Sequence, residues 1–334
     1  MNARFNKIWK TVWISFVTIF CIAILPISAF SGEKVYKIGI ATIATHPALD
    51  AARQGFIDTL KKAGYVEGKN VIYDMTNAEG DMSLAASIAK KFVSQRKDMI
   101  LAITTPIAQA MVGAAKYSDI PIIFNSVTDP VAAGIVNSWK RPGGKVTGAS
   151  DWMDVEHQVK IMMRIAPNIK RVGVIYNAGE VNSRVQVAEL KKVAKKLGIK
   201  KIVERNVSTT ADVLITAKSM VSEVDAYWFP TDNIVVAALE AVVKIGEDYN
   251  KPVFGSDPNH PLRGVIAAAG VSMYDVGVES GKMAVRVLQG EKPGNIAVTK
   301  GVMSKLTVNL AAAERMGVTI PKSILREATE ILYK

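Results

Sequence analysis

The chemically equipped segments of this chain are short clusters of hydroxyl, amide and carboxylate side chains, each set where a strand-like run gives way to a helix-like one. Thr45-His46 stands directly before Pro47, and Thr104-Thr105 directly before Pro106. Proline suits the first position of a helix, where its fixed backbone angle is already helical and its missing N–H costs nothing. Each pair would therefore sit at a helix N-terminus, where backbone donors and the helix dipole favour an anion such as a carboxylate. Ordinary capping by these same residues accounts for the pattern equally well. The loop Asn125-Ser126-Val127-Thr128-Asp129-Pro130 carries four polar side chains, more than a turn requires. Comparable loops follow in the second half: Asn177-Ala178-Gly179-Glu180 with Asn182-Ser183 behind it, Thr231-Asp232-Asn233, and Gly255-Ser256-Asp257. Ser150-Asp151-Trp152 lies between the halves. Asp151, Asp232 and Asp257, faced by Thr, Ser and Asn side chains, would suit a zwitterion, with its ammonium on carboxylate and its carboxylate on hydroxyls and helix N-termini. Any one of these aspartates alone reads as a turn or cap residue, and it is their grouping at strand ends that points to binding. Trp152 is either a stacking wall for a ligand or interlobe packing.

No residue set calls for catalysis. A glycine-rich phosphate loop, His-Glu-x-x-His and Gly-x-Ser-x-Gly are all missing from the sequence. The three histidines, His46, His157 and His260, are scattered, and no nucleophile lies at close spacing to a base. The single cysteine, Cys21, falls within the first thirty residues, so thiol chemistry and thiolate metal sites are excluded beyond it. No metal or cofactor is expected. The densest basic cluster, Lys191, Lys192, Lys195 and Lys196, lies off the apolar face defined by Val187, Leu190, Ala194 and Leu197. It reads as a solvated helix flank, and no aromatic residues interleave with it as a nucleic-acid platform would want.

Positioning these loops requires alternating strands and helices. β-branched runs at residues 37–43, 70–75, 99–103, 122–124, 171–176, 199–205, 226–229, 253–254 and 265–269 predict strands. Amphipathic stretches at 47–62, 83–95, 183–197, 212–221, 233–249 and 275–288 predict helices. Such alternation implies an α/β protein with parallel sheets and crossover helices. The pattern restarts after the turn-rich Arg141-Pro142-Gly143-Gly144, with Lys37-Ile38-Gly39-Ile40-Ala41 answered by Arg171-Val172-Gly173-Val174-Ile175. Two doubly wound parallel-sheet lobes around a central cleft follow, one over residues 35–148 with part of 271–334 returning to it, the other over 149–270. Ligands of open parallel sheets gather at the carboxyl ends of the strands, where the polar loops lie.

The chain opens with Arg4, Lys7 and Lys10 ahead of an uncharged apolar run from Thr11 to about Leu25, then small residues at 28, 29 and 31. That order is the signature of a secretory signal over residues 1–31, cleaved after Ala29 or Ser31, with a retained anchor as the other reading. Phe20 before Cys21 is not the small residue a lipoprotein signal wants. The net charge of +12 falls to +9 without the three bases of this segment. A cysteine-free chain that is 49% hydrophobic would draw its stability from apolar burial in an oxidising compartment.

Several motifs resemble one family of ABC-transporter substrate-binding proteins that includes tryptophan- and tyrosine-binding members, the TrpX-like group. They are Asp129-Pro130-Val131-Ala132-Ala133-Gly134, Val174-Ile175-Tyr176-Asn177 with Asn182-Ser183, and Pro230-Thr231-Asp232-Asn233. Gly281-Lys282-Met283-Ala284, Gly290-Glu291-Lys292-Pro293, and Asn309-Leu310 followed by Gly317-Val318-Thr319-Ile320-Pro321 continue the likeness to the C-terminus. The resemblance implies a type I periplasmic-binding-protein fold, with lobes joined by several crossovers and closing on a ligand. It implies a cleft lined by Ser126, Val127, Thr128, Asp129, Asp151, Asn177, Asn182, Ser183, Thr231, Asp232 and Asp257. It further implies an extracytoplasmic, non-enzymatic receptor, expected as a monomer, that passes a small ligand to an inner-membrane ABC permease and its ATPase. The ligand is expected to be an amino acid, aromatic or branched apolar. A periplasmic sensor, or less readily an exported α/β enzyme, are the alternatives.

Overall fold

The computed structural model describes residues 34–301 and 304–333; the segment read as an export signal lies outside the described residues. A first parallel sheet is built from β1 (Tyr36–Thr42), β2 (Val71–Asn77), β3 (Met99–Ile103), β4 (Ile122–Asn125) and β5 (Val146–Ala149), in the spatial order β2-β1-β3-β4-β5. Its crossovers carry α1 (Pro47–Lys62), α2 (Met82–Ser94) and α3 (Thr105–Ala114). The chain then runs through α4 (Val155–Ile165) into a second sheet that begins with β6 (Arg171–Tyr176), α5 (Val181–Ala194), β7 (Lys201–Asn206), α6 (Asp212–Ser219) and β8 (Ala226–Trp228). It continues with α7 (Asn233–Ala237), α8 (Leu239–Asp248), β9 (Val253–Gly255) and β10 (Ala267–Val271).

From β10 the chain crosses back as α9 (Met273–Leu288), which packs on α1 and against β4 and β5 of the first lobe. It crosses once more to add β11 (Ser304–Asn309), α10 (Leu310–Arg315), α11 (Lys322–Glu327) and β12 (Glu330–Leu332) to the second lobe. The second sheet has the order β12-β11-β10-β9-β8-β6-β7 and is parallel except between β10 and β11. Residues after 271 therefore serve both lobes. Among the described residues no helix is long and apolar enough to cross a membrane.

The inner strands β3 and β4 of the first sheet are buried at every position, as β-branched runs covered on both faces by crossover helices must be, while the edge strand β2 is partly exposed. Each lobe has its own apolar core, centred on residues such as Phe56, Phe92 and Phe124 in the first and Tyr227, Trp228 and Leu190 in the second. A small third cluster, including Ala149, Met153, Val271 and Met273, fills the space where the chain passes between lobes. The α1–α9 contact is close because glycines stand at the crossing. A Cβ on Gly55 would lie 2.1 Å from the Tyr274 carbonyl oxygen, and one on Gly277 2.1 Å from that of Ala52.

The expected alternation holds throughout, with boundaries displaced by a few residues. Two local expectations are corrected. The single helix read over 233–249 breaks at Ala238, whose φ of −111° leaves the helical region. Arg263 donates to the Val236 carbonyl at 2.8 Å and so takes an acceptor that a continuous helix would use itself. The C-terminal strands β11 and β12, with the four-residue β5, add to the strands expected from the sequence.

Candidate functional site

The strand-end loops of both sheets converge on one cleft containing about 390 Å³ of space between the lining atoms, its mouth included. From the first lobe come His46, Ala48, Leu49, Thr104, Thr105, Ser126 and Thr128. The second lobe contributes Asn182, Thr231, Asp232, Asn233, Val236, Asp257 and His260, and the crossovers add Asp151 and Met273.

The first-lobe wall is made of helix starts. His46 precedes α1 with extended backbone and no capping bond from its side chain, leaving its ring turned to the cleft. Its Nδ1 finds no partner in the protein. Burial, aided by the positive charge of Arg263, holds the imidazole down at about 4, so it is neutral at physiological pH. Thr104 adopts φ +88° and Ser126 φ +53°, a region that strains residues bearing a Cβ and clusters at functional sites. Thr104 is kept there by its N–H bond to the Asn125 carbonyl (2.9 Å). Ser126 donates to Asn125 Oδ1 at 2.6 Å, while Asn125 Nδ2 donates to Ser280 on α9 at 2.9 Å. The hydroxyls of Thr104 and Thr105, both buried at the N-terminus of α3, have no protein partner.

The second-lobe wall is a buried polar network. Asp232 begins α7, and its carboxylate accepts from Asn177 N (2.7 Å), Ser183 Oγ (2.6 Å) and Val235 N (3.0 Å). Glu180 accepts from Asn182 Nδ2 (2.9 Å) and Asn233 Nδ2 (2.6 Å). Burial, with the neighbouring Asp232 charge adding to it, pushes the Glu180 carboxyl up to about 8. Asn182 Nδ2 also donates to the Thr231 carbonyl at 2.8 Å, which leaves its Oδ1 buried and unpartnered. Gln186 and Thr231 hold each other through two bonds of 2.9 Å. Thr231 and Thr128 bring their hydroxyls to 3.4 Å, a contact from one lobe to the other.

Two carboxylates stand apart from that network. Asp151 is 3% exposed, Asp257 is 1% exposed, and each keeps one oxygen without a partner. Burial pushes each of them up to about 6; Thr128 opposes the rise at Asp151, and the Asp151 charge adds to it at Asp257. Arg263, whose charge acts on Asp257, is committed to Glu240 through two bonds of 2.6 Å. His260, pressed against Phe229 (ring centres 5.2 Å apart), is also kept neutral by burial. The cleft thus has buried anionic acceptors and no opposing cation of its own, while hydroxyl donors at a helix start lie on the facing wall. Among the described residues no three His, Cys, Asp or Glu side chains form a metal-binding group.

Of the residues singled out in the sequence, His46, Thr104, Thr105, Ser126, Thr128, Asp151, Asn182, Thr231, Asp232 and Asp257 line this cleft together. Others do not. Thr45 is exposed and bonds Asn77 at 2.6 Å; Val127 belongs to the first-lobe core. Asp129 caps its own turn through Val131 N and Ala132 N. Asn177 and Ser183 act behind the surface by holding Asp232. Trp152 packs edge-on against Trp139, 6.4 Å away, with the Lys300 ammonium over both rings, which is the packing role. Glu180, Asn233, Met273 and His260 were missed; an acid directly ahead of a helix and a histidine three residues past Asp257 were the available signals.

Two α/β lobes joined by repeated crossovers, with a polar cleft at their strand ends, define a solute-binding protein of the type I periplasmic class. The chain belongs to the ABC transporter substrate-binding protein family, whose model matches residues 37–332. It is 40% identical to a tyrosine-binding protein of Clostridioides difficile over 277 residues, 83% of this chain and 79% of the relative. Its structure is similar to a Streptococcus pneumoniae ABC domain in complex with L-Trp, at TM-score 0.85 and 35% identity over 90% of this chain and 100% of that one. A ligand-free, open substrate-binding protein from Clostridium difficile has 38% identity over the same shares of the two chains but a TM-score of only 0.66. At nearly equal identity, the difference in score marks this chain's lobe arrangement as like that of the Trp complex.

Proposed function

We propose that this chain captures a free amino acid with an aromatic or large apolar side chain between its lobes and delivers it, chemically unaltered, to an ABC importer. The observation that carries this reading is the set of buried, unpartnered polar atoms facing one cleft: carboxylate oxygens on Asp151 and Asp257 opposite the hydroxyls of Thr104 and Thr105. An α-ammonium between the two aspartates supplies the missing cation, and an α-carboxylate at the start of α3 accepts from the hydroxyls and from the helix N-terminus. Ala48, Leu49, Val236 and Met273 offer apolar contact for the side chain. The names of the tyrosine-binding relative and the Trp complex support the same class.

The lobes divide near residues 148 and 270, with α9 returning to the first. They open and close about the crossovers, and ligand binding stabilises the closed form that docks on the permease with its ATPase. The chain works as a monomer outside the cytoplasm, exported by residues 1–31. Calorimetric titration of refolded, ligand-stripped protein with the proteinogenic amino acids tests the reading. Saturable one-to-one binding of an aromatic amino acid is expected, and silence across the whole set overturns it.

A further inference from the structure

Resting on the reading that the lobes close on a free amino acid, we propose that Ile234 of the second lobe, seated on the turn at Gly80 of the first, is the door of the cleft. The ligand passes between these two residues and leaves only when their contact breaks. Ile234 belongs to α7, which is fixed to the second lobe because its capping residue Asp232 accepts from Asn177 and Ser183. The turn opposite is fixed to the first lobe. Gly80 N–H donates to the Ile43 carbonyl at 2.6 Å, Ala78 N–H donates to that of Thr42 at 2.9 Å, and Asn77 Nδ2 donates to Thr45 Oγ1 at 2.6 Å. Gly80 has φ +80°, and a Cβ on it would lie 3.1 Å from Ile234 Cδ1. A left-handed backbone and an occupied Cβ position both call for glycine here, so the turn offers the isoleucine bare backbone as its seat.

The place of this contact gives it its role. On one side lies the ligand cleft, lined here by His46, Asn233 and Val236. On the other lies a wider groove between the lobes, with about 1030 Å³ of space including its mouth, bordered by Ala44, Thr45, Gly80, Ile234 and Ala237 among others. Thr45, Glu79, Met82 and Thr209 along this groove are exposed, so it opens on the surface. Sequence neighbours therefore fall on opposite sides of the seam, Thr45 from His46 and Ile234 from Asn233. Ile234 itself is 4% exposed. Two further contacts join the lobes, the paired hydroxyls of Thr128 and Thr231 and the packing of Val181 on the first-lobe core, and none of these three residues borders the groove. Ile234 does not line the cleft, so it sets how long a ligand stays rather than which ligand binds. Apolar surface that is covered only when the lobes meet stabilises the closed form, and losing it speeds opening.

The test is release kinetics: the full chain is loaded with radiolabelled L-tyrosine or L-tryptophan and chased with an excess of the unlabelled amino acid. Ile234→Ala should speed release about tenfold and leave the association rate within about threefold of native, and Ile234→Met should restore slow release. Gly80→Ala should also speed release, because its methyl obstructs the seat. In the double variant that methyl meets a vacated space, so release should be at least about threefold slower than the product of the two single effects. Strain from the φ of +80° is common to both backgrounds and cancels in the comparison. Single effects that simply multiply overturn the proposal, because they make Ile234 a residue of the second-lobe core alone. Native release from Ile234→Ala overturns it as well. If neither amino acid binds the native protein, the amino-acid reading has failed and the door falls with it; binding with unaltered release leaves that reading standing and overturns the door alone.

Discussion

Replacing Asp151 by asparagine should loosen the ligand and tighten the fold at the same time. The carboxyl is buried, and burial raises it from 3.8 to about 6. An acid with a raised native value contributes its stability below the unfolded value and loses it as pH rises through the native one. At pH 7.5 the ligand-free protein therefore bears the cost of ionising Asp151 where no cation answers it, roughly two pH units or about 3 kcal/mol. The neutral amide of Asp151→Asn carries no such cost, so the ligand-free melting temperature at pH 7.5 should rise by roughly 5 °C. At pH 4, where the native side chain is protonated, the two proteins should melt together. Ligand binding should move the opposite way. Removing the charge from a buried ion pair costs about 2–5 kcal/mol, a loss of roughly 30- to 5,000-fold in affinity. Differential scanning calorimetry of the stripped protein at both pH values, paired with titration of tyrosine, measures both effects. A lower melting temperature with unchanged affinity would refute the reasoning, because it would make Asp151 a structural residue rather than a ligand partner.

Other outcomes follow from the same geometry. Ligand affinity should be level above pH 7 and fall below pH 6 by about tenfold per unit for each of Asp151 and Asp257, because protonation removes the charge that the ammonium needs; His46, held at about 4, adds nothing in this range. Titrations from pH 4.5 to 8 check this, and a flat profile counts against it. Glu180, raised to about 8, is protonated at neutral pH, and the stability it lends below its ordinary value of 4.5 is lost as pH rises from that value to about 8. Glu180→Gln should therefore melt like the native protein at pH 4 and outlast it at pH 7 and above. Gly277→Ala, whose new methyl would meet the Ala52 carbonyl at 2.1 Å, should destabilise by about 1–3 kcal/mol or more through forced separation of α1 and α9; an unchanged denaturation midpoint would contradict that contact.

The lobes and the general place of the cleft were legible in the sequence because they depend on local, periodic features. β-branched runs followed by polar loops and Pro-led helices, as at Thr104-Thr105-Pro106, fix where strand ends lie, and parallel topology then brings those ends together. Which face each loop residue presents was not legible. Thr45 and His46 are neighbours, yet Thr45 turns outward to Asn77 while His46 enters the cleft, a choice made by the backbone angle at the helix start. Asp232 has the right chemistry to meet a ligand, but Asn177, Ser183 and Val235 occupy its oxygens from positions near and far in the chain. Glu180 and Asn233 form their partnership across 53 residues, and no local pattern encodes it. The C-terminal strands escaped notice because β12 has three residues and β11 pairs antiparallel in an otherwise parallel sheet.

Mass spectrometry of the small molecules released on denaturing protein purified from cells under mild conditions tests the central claim most directly. One equivalent of an intact amino acid with an aromatic or large apolar side chain is the expected result. A different class of compound, such as a sugar, or a chemically altered product of the ligand supplied, would contradict the account.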